Sequence, residues 1–147
     1  MDADSTTYLG KPAEFWAGNL QDHDPLVRRL SVYALGEIGF GARSAVPDFS
    51  GALEDEVPFV RVWAAAALAK VDPEDTRAVP VLIAAFDEEI SFVRSLAAWF
   101  LGRLAPTCAE TRSAIPALRE RLEDDDPSVR TEAALALKKL QAQRYPA

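Results

Sequence analysis

The chain has 147 residues, a net charge of −7, and one cysteine and one histidine. That acidity argues against nucleic acid and anionic membranes as partners, because phosphate binding rests on a basic footprint. The single Cys108 excludes an intramolecular disulfide, no apolar run approaches the ~18–20 residues of a bilayer span, and the acidic start Met1-Asp2-Ala3-Asp4 does not read as a signal peptide, so a cytoplasmic protein is predicted.

In chain order, residues 1–11 are expected as a tail and a short helix is predicted over 12–21. A longer helix follows over 25–38: Asp24 is a good N-cap, Pro25 a good first residue, and Gly39 and Gly41 end the run. Three further short-then-long pairs are predicted at 46–54 and 58–70, 79–87 and 91–104, and 112–123 and 127–142, with 143–147 a second tail. Pro12, Pro47, Pro80 and Pro116 sit near the starts of the short helices, where a missing N–H costs little. Asp126-Pro127 repeats the opening Asp24-Pro25, the second long helix keeps only Pro58, and the third opens with Ile90-Ser91. Nothing reads as a β-strand.

These pairs share one register. Val-Arg recurs at Val27-Arg28, Val60-Arg61, Val93-Arg94 and Val129-Arg130, at intervals 60−27 = 33, 93−60 = 33 and 129−93 = 36. Leu35, Leu68, Leu101 and Leu137 lie eight residues after each Val, and Ile38, Val71, Leu104 and Leu140 lie eleven after it. The three extra residues of the last interval fall between Leu104 and Ile115, in a connection, where length is tolerated. A fixed period of this size means stacked helix pairs, each burying its neighbour's apolar face. Ala64-Ala65, Ala97-Ala98 and Ala133-Ala134 form a column of small residues that lets adjacent helices approach closely.

Asp24-Pro25-Leu26-Val27-Arg28, Ala34-Leu35-Gly36-Glu37-Ile38-Gly39 and Ala45-Val46-Pro47 together resemble a HEAT repeat. The pattern is most similar to the short bacterial subtype of phycobilisome lyase-type proteins. The resemblance covers roughly residues 12–142, as repeats at about 12–39, 46–72, 79–105 and 112–142. It implies an all-α, right-handed α-solenoid of four stacked HEAT-like helix pairs. It also implies that the arginine column (Arg28, Arg61, Arg94, Arg130) bridges neighbouring repeats by pairing with turn acids, which suits a planar guanidinium.

No catalytic centre is expected. His23 stands alone between Asp22 and Asp24, short of the three or four ligands of a zinc site, so no metal is predicted. Cys108 lies in the inserted connection with no activating base near it in sequence. No Gly-rich phosphate loop is present, and no cofactor is predicted. Twelve acids, from Asp22 and Asp24 through Glu54–Glu56 and Asp87–Glu89 to Glu123–Asp126, fall in the turns between paired helices and read as caps on a solvated edge.

The aromatic residues are more telling. With each column arginine as zero, the buried set of a long helix falls at −1, +3, +7 and +10, and +1, +2, +5 and +9 lie opposite, on what the resemblance makes the concave face. Leu30, Trp63 and Leu96 stand at +2, Tyr33, Trp99 and Leu135 at +5, and Glu37, Lys70, Arg103 and Lys139 at +9. Arg29 at +1 adds a cation. Apolar residues at positions that should be wet point to a binding groove. The expected function is a non-enzymatic adaptor that binds a protein or peptide, with acidic flanks, through Arg29, Leu30, Tyr33, Trp63, Lys70, Leu96, Trp99, Arg103, Leu135 and Lys139. One alternative is a lyase or chaperone subunit handling a bilin. The other is a HEAT-like DNA-repair glycosylase, which the net charge disfavours. Phe15 and Trp16 predict a sticky first helix and, with it, end-to-end self-association.

Overall fold

A computed structural model describes residues 6–143. The chain forms two compact units, residues up to 78 and residues from 79 onward. No helix among the described residues is long and apolar enough to cross a membrane.

The first unit opens with a hairpin, β1 (Thr7–Tyr8) and β2 (Lys11–Pro12), turned through Leu9 and Gly10, both at positive φ. This corrects the expectation of a strand-free chain. Two residues per strand carry no alternating pattern for a sequence reading to find. Four α-helices follow: α1 (Ala13–Gly18), α2 (Pro25–Ile38), α3 (Phe49–Leu53) and α4 (Pro58–Val71). The second unit holds α5 (Ala78–Ala84, which begins at the boundary), α6 (Ser91–Leu104), α7 (Ile115–Glu120) and α8 (Pro127–Ala142).

The long helices lie where the Val-Arg register puts them. Asp24 caps α2 by accepting from the Leu26 amide at 2.9 Å, and Asp126 caps α8 through Ser128 at 2.8 Å. Gly39 ends α2 at φ +66°, a backbone region only glycine adopts freely. The short helices differ from the continuous runs expected. Each carries 3₁₀ turns: Asn19–Gln21 after α1, Gly39–Asp48 before α3, Ala85–Asp87 after α5, and Ala109–Ala114 and Arg121–Glu123 around α7. Gly39, Gly41 and Pro47 weaken an α-helical ladder through the second of these segments, and tighter i→i+3 bonds take its place.

The register also locates the core. Fifteen of the sixteen residues at −1, +3, +7 and +10 are buried, Val27 alone being half-buried. The buried hydroxyls are satisfied: Ser31 in this register donates to the Val27 carbonyl at 2.8 Å, and Thr111, outside it, donates to the Cys108 carbonyl at 2.7 Å. Cys108, in the inserted connection, is fully buried, and burial pushes its thiol up, away from nucleophilic reactivity.

Glycine sets how closely the long helices of each unit meet. A Cβ on Gly36 of α2 would stand 3.2 Å from both the Cα and the Cβ of Ala67 on α4. One on Gly102 of α6 would stand 3.2 Å from the Cα of Ala136 on α8. Backbone cannot give way as a flexible side chain does. Gly36→Val and Gly102→Val are therefore expected to destabilise by about 1–3 kcal/mol each through overpacking. Urea denaturation checks this, and an unchanged midpoint would place the crossings elsewhere.

Candidate functional site

The face opposite the core differs between the units. In the first, Tyr33 and Trp63 are half-buried, not the free anchors expected. The hairpin lays Tyr8 against Tyr33, with ring centroids 5.7 Å apart, and against Trp16, 5.9 Å apart. Tyr33 in turn meets Trp63 at 5.7 Å, and Trp63 meets Phe59 at 6.2 Å, all edge-to-face. Arg29 lies over Phe59 and Trp63, 5.7 and 5.8 Å from the two centroids. The charge of Glu37, one turn along, together with burial, raises the Tyr33 phenol above its ordinary range. Trp16 is buried and donates its indole N–H to the Tyr8 carbonyl at 3.3 Å, so of the two residues expected to make the first helix sticky only Phe15 is exposed.

Helix α4 departs furthest from the expected wet face. Val62 at +1 and Ala66 at +5 are buried, because this helix is apolar almost all round and Ala-rich. Leu30 on α2 remains 38% exposed. Lys70 and Glu37, both at +9, are exposed and bonded to each other at 3.3 Å.

In the second unit the face is open. Trp99 is 38% exposed and Leu135 47%, while Leu96 is half-buried. The Arg103 guanidinium lies 4.9 Å above the Trp99 ring. Lys139 is exposed beside it on α8.

A column at −2, absent from the sequence reading, extends the face by one turn: Leu26, Phe59 and Phe92, followed by Ser128. Leu26 and Phe92 are exposed. Each stands four residues before the +2 residue, so the i,i+4 pairs Leu26/Leu30, Phe59/Trp63 and Phe92/Leu96 could have revealed it.

The arginine and acid columns interlock along the turn edge. Arg28 forks onto Asp55 of the next repeat, with Nε–Oδ2 at 2.7 Å and Nη2–Oδ1 at 3.0 Å, and its Nη1 donates to the Asp22 and His23 carbonyls. Arg94 does the same with Asp124 and with the Glu88 and Glu89 carbonyls. Arg28 and Arg94 therefore hold repeats together within each unit, as the resemblance implies, while Arg61 and Arg130 donate to carbonyls of the turn before their own helix, Asp55 for the one and Asp124 and Asp125 for the other. Among the described residues no three His, Cys, Asp or Glu side chains gather as a metal site would need.

The HEAT-repeat family pattern matches residues 14–102 and 93–147. Among solved structures, an engineered protein from the Northeast Structural Genomics Consortium aligns with a TM-score of 0.61 and 23% identity, over 88% of this chain and 62% of that one. The complex of CpcE and CpcF of phycocyanin lyase from Nostoc sp. PCC7120 aligns with a TM-score of 0.54 and 24% identity, over 97% of this chain and 71% of that one. At such identities the likeness is one of fold. Comparison with curated proteins gave no match. With the Val-Arg register, the paired helices and the family pattern in agreement over most of its length, the chain belongs to the HEAT-repeat family, an all-α solenoid class that commonly serves as a protein-interaction scaffold.

Proposed function

We propose that this chain is a non-enzymatic adaptor that binds a protein or peptide on the long-helix faces of its repeats. The observation that carries this reading is the exposure of Trp99 and Leu135, with Arg103 stacked on the indole. Exposed aromatic and apolar side chains ringed by cations are the composition of an interface hot spot. Leu26, Leu30 and Arg29 offer a smaller counterpart on the first unit. There Tyr33 and Trp63 act as a rigid floor rather than as anchors.

A displayed peptide library selected on the whole chain tests the reading. Trp99→Ala is expected to weaken selected peptides by about 2 kcal/mol while leaving the melting temperature almost unchanged. Trp63→Ala is expected to lower the melting temperature, since its ring is wedged between Tyr33 and Phe59. Full affinity retained by Trp99→Ala would remove the second-unit face from the function.

A second reading is a lyase or chaperone subunit handling a bilin. The fold likeness to CpcE and CpcF of phycocyanin lyase favours it, as do the cations beside Trp99. A shift in bilin absorbance on adding the protein, lost in Trp99→Ala, would support that reading over the adaptor.

A further inference from the structure

The two units repeat one another closely enough for one difference to stand out. Gly36, Glu37, Ala67 and Lys70 of the first correspond to Gly102, Arg103, Ala136 and Lys139 of the second. In both, the lysine stem crosses the glycine: Lys70 Cδ would lie 3.6 Å from a Cβ on Gly36, and Lys139 Cδ 3.4 Å from one on Gly102. In the first unit the lysine ammonium then meets the carboxylate of Glu37 at 3.3 Å. In the second, Arg103 stands where the carboxylate stood. Among the described residues, neither Arg103 nor Lys139 makes an ion pair. Gly102, Arg103, Pro106, Lys139 and Gln143 line an open pocket of about 350 Å³.

We infer that this pocket is a carboxylate site, which takes an acidic side chain of a bound peptide whose neighbouring apolar side chain rests on Trp99. The inference builds on the adaptor reading above and adds the chemistry of the partner. Two cations side by side repel, and a fold gains no stability from placing them so. A carboxylate between them relieves that repulsion and accepts from a guanidinium fork, an ammonium and the Gln143 amide. Both cationic stems are already laid down, Arg103 on Trp99 and Lys139 over Gly102, so little side-chain freedom is lost on binding. Glu37 shows what the site is shaped for: the first unit carries its carboxylate within the chain. The contrast is sharpened by the net charge of −7, against which a cation pair with no acid among the described residues of its pocket lining is a local reversal.

The test is a displayed peptide library selected in parallel on the wild-type chain and on Arg103→Glu, which rebuilds the first unit's Lys–Glu arrangement. Wild-type selections are expected to be rich in acidic residues next to an apolar one. Selections on Arg103→Glu should keep the apolar preference and lose the acidic one. Changing glutamate to glutamine in a selected peptide should weaken wild-type binding about tenfold, as loss of a charge-assisted hydrogen bond does, and Arg103→Glu binding by less than about twofold. Arg103→Glu should also melt at the same temperature or about 1–2 °C higher. Equal acidic content in both selections would overturn the carboxylate site and leave the adaptor reading standing. A melting temperature several degrees lower in Arg103→Glu would overturn it as well, by showing that Arg103 is held by the fold. Failure of the wild-type chain to select any peptide that Trp99→Ala loses would instead sink the adaptor reading beneath it.

Discussion

Leu68→Ala and Leu101→Ala are each expected to lower stability by about 2–5 kcal/mol, measured as a shift in the urea midpoint at constant slope. Both leucines are fully buried on the inner face of a long helix, one in each unit. Their neighbours cannot collapse onto the lost volume. Around Leu68 the α4 helix is almost wholly alanine and valine, and Ala64, Ala65, Ala67 and Val71 are all buried. At the crossings, Gly36 against Ala67 and Gly102 against Ala136 leave backbone touching backbone, so the helices are already as close as they can come. A deletion there opens a cavity, and the cost sits at the upper part of the range rather than the lower. Substitution of the exposed Leu26 or Leu135 by alanine provides the contrast, with a change within about 0.5 kcal/mol. Midpoints unmoved by both core changes would mean that the helical register derived from the Val-Arg columns is wrong.

That register was legible because its signals are local and repeated. Asp24 and Asp126 cap, Pro25, Pro58 and Pro127 open, and the apolar column recurs at one spacing, so the bounds of α2, α4, α6 and α8 fall within a residue of those expected. The short helices blurred because five- to seven-residue helices lean on tertiary contacts, which propensity does not encode. The binding face divided along the same line. Trp99 and Tyr33 hold the same +5 position, yet only Tyr33 is covered, because the hairpin brings Tyr8 onto it from outside the repeat pattern. Val62 and Ala66 show the other limit: α4 is apolar almost all round, and Lys70 alone marks a wet side, too little for a periodicity to find. The acids were read as a group, and nothing in their number separates Asp55 and Asp124 from their neighbours. Their position does so in retrospect. Asp22, Asp55 and Asp124 each stand two residues before a helix cap and accept its backbone N–H, and the last two also receive the arginine of the preceding repeat.

Asp124→Ala is expected to cost about 3 kcal/mol at neutral pH, because it strands the Arg94 guanidinium in a largely dehydrated turn. The carboxylate is almost fully buried and does three jobs at once. It receives Arg94 at 3.0 and 2.9 Å, it accepts the Asp126 amide at 3.0 Å, and Arg121 approaches it at 3.5 Å. Its backbone carbonyl accepts from Arg130 at 2.7 Å, so the same residue ties the third repeat to the fourth. Arg28 and Asp55 repeat the arrangement in the first unit, with Arg61 on the Asp55 carbonyl at 2.7 Å. The hydrogen bond from Arg94 outweighs burial and holds the Asp124 carboxyl below the usual carboxylate range. Burial alone would raise Asp55, but the bonds from Arg28 and the Val57 amide prevail and bring it down as well. The sign of the pH dependence follows. A depressed native pKa stabilises the fold above the unfolded value of about 3.9, and the contribution is lost as pH falls through the native value below it. Asp124→Asn keeps the shape and loses the charge, so its cost should be large at pH 7 and shrink as the wild-type chain is acidified below about pH 4. Replacing both Arg94 and Asp124 by apolar residues of similar volume should recover much of the loss, since the pair is a device for register more than for net stability. An Asp124→Asn cost that is equal at pH 7 and pH 3 would show that the bridge contributes shape alone and that its charge is idle.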